Sequence, residues 1–252
     1  MAIHKSEALI LERRDFRETS YILTLFTLDF GKISAQAKGA RRKIDKFGTN
    51  FLPLTLNKVV FYENSYGNLH ILSQIDLLDY FDKVGDSVEK FTSAMYFLEL
   101  VNSTMPWEQK NTAIFNLLMD FLRYLNQHDR AQNIRQIFEI KFLKLSGFKP
   151  HFDSCVHCGA PIKDECRFSY TLGGLLCNLC RYRDVAAKPV MPGTVATIEY
   201  LEENSLDKIP NFKISGKIQK ELELILRNFI EHHLGQRFKS LEFLEKLRVS
   251  YV

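Results

Sequence analysis

The residues best suited to chemistry in this chain are four cysteines that occur as two closely spaced pairs. Cys155 and Cys158 form one Cys-x2-Cys pair, and Cys177 and Cys180 form a second pair after eighteen intervening residues. A Cys-x2-Cys knuckle directs two thiolates at one ion, and Zn²⁺ prefers four tetrahedral ligands. The spacing therefore predicts one Zn²⁺ held by all four thiolates. Because four protein ligands leave no position for water or substrate, we expect this ion to be structural rather than catalytic.

The segment between the two pairs is predicted to be a β-hairpin. Phe168–Thr171 and Leu175–Leu176 flank the dipeptide Gly173-Gly174, which is a turn signal. Two knuckles joined by a hairpin indicate a zinc-ribbon-like unit. A redox-active Cys-x2-Cys would need only one pair in a βαβ setting, which the sequence lacks. Cys166 is left as a spare thiol.

A second chemically distinctive group is basic and lies nearer the N-terminus. Between Lys32 and Lys46 there are six basic side chains and one acidic one. Gly39 and Gly48 keep the backbone pliant, so cationic groups can follow phosphates, and Phe47 offers a stacking surface for a single strand. The alternative is a solvated loop without a ligand. The predicted phosphate contacts are Lys32, Lys38, Arg41, Arg42, Lys43 and Lys46.

The distribution of charge favours a local polyanion-binding surface. The net charge is only +4, but residues 1–60 carry eleven Lys/Arg against six Asp/Glu. Residues 62–99 carry seven acidic side chains against two basic ones. The positive field is therefore concentrated in the N-terminal part, where a polyanion is attracted. Arg13 and Arg14 either extend this patch or pair with neighbouring carboxylates, and the sequence leaves both interpretations open.

The elements that must position the basic residues are predicted to be strands. Residues 32–38 show the clearest alternation, with Ile33, Ala35 and Ala37 on one face and polar or basic side chains on the other. Five short antiparallel strands within about eighty residues fit a closed OB-type barrel, and an open five-stranded sheet is the alternative. The predicted strands are Ala8–Leu11, Tyr21–Thr27, Lys32–Lys38, Leu54–Tyr62 and Leu69–Ile75.

From about Asp82 the apolar period becomes helical. We therefore predict an α+β chain in which residues 1–80 form an OB-type five-stranded barrel and residues 81–252 form a helical domain. The zinc-ribbon-like insertion is expected at about residues 150–190. The predicted helices are Ser87–Met105, Trp107–Gln127, Arg130–Ser146, Gly193–Glu203, Ser215–Leu234 and Ser240–Leu247.

The sequence gives no indication of an enzyme. It contains no Gly-x4-Gly-Lys-Ser/Thr, no Gly-x-Gly-x-x-Gly and no His-Glu-x-x-His. It also has no secretory signal and no apolar run approaching the ~18 residues that span a bilayer, which predicts a cytoplasmic protein without membrane association. The remaining alternatives are a zinc-ribbon transcription- or RNA-associated factor, an enzyme with an unrecognised centre such as a nuclease, and a scaffold without DNA affinity.

The chain resembles the RecO family of bacterial recombination mediators, and the resemblance runs nearly end to end. The motifs that carry it are, in chain order, Glu18-Thr-Ser-Tyr-Ile-Leu-Thr-Leu-Phe-Thr followed by Gly31, Lys38-Gly-Ala-Arg-Arg with Phe47-Gly48, Leu145-Ser-Gly-Phe-Lys-Pro150, and His233-Leu-Gly-Gln-Arg-Phe-Lys-Ser240 leading into Leu241-Glu-Phe-Leu-Glu-Lys-Leu.

The resemblance implies an N-terminal OB-fold, a helical bundle and a zinc-bearing insertion. It also implies binding of single- and double-stranded DNA, annealing of complementary strands, and help to the RecA recombinase, with the partner RecR, in replacing single-strand-binding protein. The acidic, apolar-ended tail of that protein would need a hydrophobic groove rimmed by basic residues. Arg123, Arg130 and Arg135 on the predicted helices are available for this role. Action at the nucleoid is expected.

Overall fold

The computed structural model describes residues 2–43, 48–128, 133–162, 165–206, 214, 216–235 and 237–250. The chain forms two compact units, one of Met1–Asp129 with Phe238–Val252 and one of Arg130–Arg237. Among the described residues, no helix has the length and apolar character needed to cross a bilayer.

The N-terminal strands form a closed barrel, as predicted. They follow the order β1-β2-β3-β5-β4, and β1 pairs with β4 to close the barrel. All neighbouring pairs are antiparallel except β3 and β5, which run parallel. This order is that of an OB-fold, which confirms the predicted fold class and excludes the open sheet. The strands are β1 Ile3–Phe16, β2 Ser20–Thr27, β3 Gly31–Ala37, β4 Leu56–Tyr62 and β5 Leu69–Asp79.

The barrel interior is filled by alternate side chains of its strands. Ile33, Ala35 and Ala37 of β3 are buried, and they pack with Leu23 and Leu25 of β2 in one apolar cluster. Because side chains alternate across a strand, the residues between them on β3 point outward. The predicted alternation therefore fixes which side chains can meet a ligand on the outer surface.

Helices follow the strands. They are α1 Val88–Thr104, α2 Thr112–Gln127, α3 Ile134–Ser146, α4 Pro192–Glu203, α5 Gly216–Leu234 and α6 Lys239–Ser250. The first two and the last belong to the unit that contains the barrel. The predicted division at residue 80 follows the change from strands to helices, whereas the compact units group α1, α2 and α6 with the barrel.

Hydrogen bonds to one carboxylate hold the N-terminus of helix α6 against α1. Glu99 accepts hydrogen bonds from the backbone N–H of Lys239 at 2.9 Å and of Ser240 at 3.1 Å, and from the Ser240 hydroxyl at 2.6 Å. A negative side chain at a helix N-terminus satisfies unpaired donors and complements the helix dipole. Glu99 therefore fixes the place where the last helix starts.

Helix α2 begins later than predicted. Asn111 caps it by accepting a hydrogen bond from the Ile114 N–H at 3.0 Å. The preceding residues pair with β3 instead, because Trp107 forms a bridge with Lys32 and the Glu108 N–H donates to the Lys32 carbonyl at 2.8 Å. The start predicted at Trp107 is therefore wrong, since tertiary pairing of this segment outweighs its helical period.

The second unit contains a small sheet of order β7-β6-β8 together with α3, α4 and α5. Helix α3 ends at Gly147, whose φ of +80° stops the helix. The strands are β6 Cys166–Ser169, β7 Gly174–Cys177 and β8 Lys188–Val190.

Candidate metal centre and nucleic-acid interface

The two cysteine pairs lie on tight backbone turns. After Cys155 the chain turns at Gly159, whose φ is +72° and whose N–H donates to the Cys155 carbonyl at 2.8 Å. The Cys155 N–H in turn donates to the Ala160 carbonyl at 2.8 Å. The second pair begins at the end of β7 with Cys177 and continues into a 3-10 turn, Asn178–Arg183, that carries Cys180. Each turn therefore aims two sulfurs in one direction.

The four sulfurs are close enough to share one ion. The Sγ atoms of Cys155, Cys158, Cys177 and Cys180 all lie within 4.8 Å of one another. The Cys158 and Cys177 Sγ atoms are 3.8 Å apart. A tetrahedron with Zn–S bonds of about 2.3 Å has sulfur–sulfur edges of about 3.8 Å. The quartet predicted from spacing is therefore brought together, and its geometry and thiol chemistry fit a structural Zn²⁺.

The electrostatics of the quartet also favour a cation. Burial raises the pKa of the Cys155 thiol, but hydrogen bonds from the backbone N–H groups of Cys177, Cys158 and His157 lower it, and the balance is a pKa of about 6. Burial raises the pKa of the Cys180 thiol, and the neighbouring sulfurs raise it further, to about 12. Four adjacent thiolates repel one another unless a positive ion lies between them, so full ionisation of this set requires a metal.

The predicted hairpin joins the two knuckles and holds the first one in place. Strands β6 and β7 pair antiparallel across a turn that includes Gly173, with φ of +72°. The Val156 N–H, within the first knuckle, donates to the Leu175 carbonyl of β7 at 2.7 Å. Cys166 lies outside the quartet, because its Sγ donates to the Val190 carbonyl at 3.8 Å and burial raises the pKa of its thiol.

The described first part of the basic segment, residues 38–42, lies at the rim of the barrel and is anchored to the β1–β2 turn. The Arg41 N–H donates to the Thr19 carbonyl at 3.0 Å. The Arg41 guanidinium donates to the Arg17 carbonyl at 3.2 Å, lies 3.6 Å from an oxygen of Asp15 and is 37% exposed. Lys38 and Arg42 are exposed. We call Lys38, Arg41 and Arg42 the basic rim.

For three of the predicted loop residues the structure does not describe the side chains. Lys46 and Phe47 lie outside the described residues, and Lys43 is described only as the last residue of the 3-10 turn Ala40–Lys43. Their predicted roles at DNA therefore stay predictions.

Lys32 does not reach the outer surface, so its prediction as a phosphate contact needs correction. Its side chain is only 5% exposed. The ammonium group donates to the Asn102 carbonyl at 2.5 Å and lies 4.5 Å from the ring centroid of Trp107. Burial lowers the pKa of this amine. Lys32 is on the outward side of β3, as the alternation predicts, but the segment between α1 and α2 covers its side chain.

The two arginines that the sequence left open have different partners. Arg14 forms a two-point ion pair with Glu12, with nitrogen–oxygen distances of 2.8 and 2.9 Å, and this guanidinium lowers the pKa of the Glu12 carboxyl. Arg13 lies over the ring of Tyr21, with its guanidinium carbon 4.7 Å from the ring centroid. Arg14 remains largely exposed beyond its pair, because 70% of its side chain is accessible.

One surface residue escaped the sequence analysis. Trp107 is the only tryptophan of the chain, and it is 47% exposed on the barrel-containing unit. Tryptophan is enriched at binding interfaces, because its ring is apolar while its N–H can donate a hydrogen bond. No local signal marked it, because Pro106 is compatible with the first turn of a helix that begins there.

The fold and the cysteine cluster together define an OB-fold protein with a zinc-ribbon-like insertion in its helical part. The comparisons with known sequence families are more specific. Residues 1–81 match the family Recombination protein O N terminal, and residues 86–242 match Recombination protein O C terminal. The chain therefore belongs to the recombination protein O family, a family of DNA repair and recombination proteins, which confirms the resemblance.

Curated relatives agree along nearly the whole chain. A DNA repair protein RecO of Syntrophus aciditrophicus is 31% identical over 252 residues, covering 98% of this chain and 97% of the relative. The protein of the same name from Alkaliphilus metalliredigens is 32% identical over 245 residues, covering 96% and 99%. That of a Thermoanaerobacter species is 31% identical over 253 residues, covering 98% and 99%.

Proposed function

We propose that this protein is a non-catalytic recombination mediator that binds single- and double-stranded DNA during repair. The observation that carries the proposal is the basic rim on an OB-type barrel, in a chain of the recombination protein O family. Its site of action is the nucleoid, in the cytoplasm.

The basic rim suits a phosphate backbone better than base edges. Lys38 and Arg42 are exposed to solvent, and Arg41 is held by the β1–β2 turn with part of its guanidinium accessible. Cationic side chains that neutralise phosphates release counterions, which gives affinity that depends on salt and little on sequence. Such binding serves a protein that must act wherever damage occurs.

Annealing of complementary strands follows from the same electrostatics. Two DNA strands repel each other through their phosphates, and a cationic surface lowers that repulsion. Base pairing then supplies the free energy, so no catalytic group is required. The bound Zn²⁺ would supply structural bracing only: it would fix the two knuckles and the hairpin between them, with all four positions taken by thiolates.

The protein partners proposed for this chain are RecR, single-strand-binding protein and, through them, RecA. A groove of about 400 Å³ lies between α1 and α6 and has Phe91, Met95, Leu98 and Phe243 among its lining residues, together with Lys239. An acidic tail that ends in apolar residues fits a groove of this kind. Two carboxylates also line it, but Glu12 pairs with Arg14 and Glu99 accepts from the N-terminus of α6.

The arginines considered for this tail are not equivalent. Arg135 is 8% exposed and lies 3.8 Å from the Glu223 carboxylate within the second unit, which makes it a structural residue. Arg123 is exposed on α2, and Arg130 lies outside the described residues. The α1–α6 groove with Lys239 is therefore the surface that we propose for the tail.

The test is removal of the basic rim. The variant Lys38→Ala/Arg41→Ala/Arg42→Ala is titrated with labelled single-stranded DNA at several salt concentrations. If all three side chains contact phosphate, the log–log slope of affinity against salt should fall by about 2, at roughly 0.7 per contact. The matched control is Lys5→Ala/Lys58→Ala/Lys83→Ala, which removes the same charge from three other exposed lysines of this unit.

Equal slopes for the rim variant and the wild type would remove the rim from the DNA site. Equal losses in both triple variants would mean that only net charge matters. Competition by RNA of the same sequence, stronger than that by DNA, would instead favour a zinc-ribbon RNA-associated factor.

A further inference from the structure

A second surface of the barrel, separate from the basic rim, has the shape and chemistry to receive an unpaired base. A groove of about 720 Å³ crosses the outer faces of β2 and β3. Its lining includes Ile22, Thr24 and Ser34 from these strands, Asn68 from the β4–β5 loop and the indole of Trp107. It therefore combines apolar and aromatic surface with small polar groups, and the ion pair of Glu12 with Arg14 also lines it.

The indole is held rigidly against the barrel. Trp107 pairs with Lys32 of β3, and the next residue donates its N–H to the Lys32 carbonyl at 2.8 Å. On one side of the ring lies the Lys32 ammonium, 4.5 Å from the ring centroid and itself held by the Asn102 carbonyl. The exposed 47% of the residue is left to the groove and the solvent. A rigid aromatic platform loses little conformational entropy when a ligand stacks on it.

The opposite wall of the groove is ordered and is tied to the same segment. Within the β4–β5 loop, the Asn64 side chain donates to the Leu69 carbonyl at 3.3 Å and accepts from the Tyr66 N–H at 3.1 Å. The Asn64 N–H donates to His70 Nδ1 at 3.2 Å, and His70 Nε2 lies 3.3 Å from the Glu108 carboxylate. Because Nδ1 accepts a hydrogen bond from this N–H, the other ring nitrogen, Nε2, is the one that faces the Glu108 carboxylate. One histidine thus connects the loop to the residue that follows Trp107.

The groove and the basic rim share one face of the barrel. Ser34 and Lys38 are both on the outward side of the chain that forms β3, four positions apart, which corresponds to about 13 Å of extended strand. OB-folds receive oligonucleotides on the β2–β3 face between the β1–β2 and β4–β5 loops. A strand whose phosphates lie on the rim could therefore place a base in the groove.

We propose that Trp107 is a stacking platform for a base of single-stranded DNA, and that it gives this protein its preference for unpaired over duplex DNA. This inference rests on the proposed function, because it presupposes that the barrel binds DNA. Bases within a duplex are stacked on each other and offer the groove only a phosphate backbone, whereas an unpaired base exposes its π-face to the indole. The basic rim thus binds both single-stranded and duplex DNA, whereas the groove binds only single-stranded DNA.

The experiment uses Trp107 as its own reporter, because the chain has no other tryptophan. Oligo(dT) is titrated into the wild-type protein while indole emission is recorded, and affinity is measured separately from the anisotropy of labelled oligo(dT) and of a labelled duplex. Stacking predicts saturable quenching at the concentration where anisotropy rises. Trp107→Ala should weaken oligo(dT) binding by about 5- to 160-fold, the range for one stacked base. Trp107→Phe should retain most of the affinity.

Further readouts separate stacking from a structural role. Duplex affinity and the salt slope should be unchanged in Trp107→Ala, since no phosphate contact is lost. Anisotropy that rises normally while indole emission stays constant would overturn the stacking proposal and leave the proposed function intact, and so would an equal loss for duplex and oligo(dT). Absence of any DNA binding by the wild type would instead refute the proposed function.

Discussion

Gly31 is the position where a single methyl group should do most damage to the barrel-containing unit. Its φ is +68°, and a Cβ added there would lie 1.9 Å from the carbonyl oxygen and 2.4 Å from the carbonyl carbon of Gln109. Both atoms are backbone, so neither can rotate away. The substitution Gly31→Ala must therefore push the Trp107–Gln109 segment off β3 or distort the start of the strand.

The expected magnitude has three parts. An alanine in the left-handed region costs about 1–2 kcal/mol. Overpacking against backbone costs about 1–3 kcal/mol. Weakening the hydrogen bond from Glu108 to Lys32 costs about 1 kcal/mol. The free energy of unfolding should thus fall by roughly 3–5 kcal/mol, allowing for partial relaxation.

Gly39 provides a matched control. Its φ is +67°, nearly the same as that of Gly31, but among the described residues beyond its chain neighbours no heavy atom lies within 4 Å of the Cβ that alanine would add. Gly39→Ala should therefore show only the backbone cost of about 1–2 kcal/mol. The difference between the two variants isolates the contact with Gln109.

The assay is urea unfolding followed by the emission of Trp107, which reports on the unit that contains both glycines. The native emission of Gly31→Ala should also shift, because the segment that carries the indole moves. If the two variants lose the same free energy, within about 0.5 kcal/mol, the close approach at Gly31 has no energetic consequence and the reasoning is wrong.

Three further predictions concern other parts of the structure. Purified protein should contain about one equivalent of zinc by atomic absorption, and Cys177→Ser/Cys180→Ser should contain none; full retention would contradict coordination by four thiolates. Lys32→Met should leave the salt slope for DNA unchanged, because this lysine is 5% exposed; a fall of about 0.7 would return it to the DNA surface. Phe243→Asp should lower the affinity for an acidic peptide with an apolar C-terminal end by at least ~10-fold, as measured by calorimetry, because Phe243 lines the groove beside Lys239. Unchanged affinity would place the tail elsewhere.

Most of the fold could be predicted from local sequence patterns. The predicted start of α1 at Ser87 is the residue that caps it, and the predicted end of α5 at Leu234 is observed. The parallel pairing of β3 with β5 was not predictable from local sequence, because it joins strands that are distant in the chain. Strand β1 is longer than predicted, since its polar ends are fixed by pairing with β2 and β4.

The candidate sites also differ in whether they depend on local sequence or on contacts between distant parts of the chain. The cysteine quartet could be predicted because metal-ligand spacing is a local property of the chain. The burial of Lys32 could not be predicted from local sequence. The residue is on the outward side of β3, as the alternation predicts, but the segment at Trp107 covers it. The pairing of Arg14 with Glu12 likewise depends on side-chain geometry, which the sequence does not give.

The return of α6 to the first unit has a consequence for synthesis of the protein. Its residues belong with the barrel, yet the ribosome must first make the whole of Arg130–Arg237. At about 5–20 residues per second, that interval is roughly 5–20 s. During it, the face of α1 that later receives the last helix is uncovered, and the Glu99 carboxylate has no N-terminus to accept from. The nascent chain therefore exposes apolar surface of α1 that a chaperone can recognise, and the barrel-containing unit is complete only after α6 has been made.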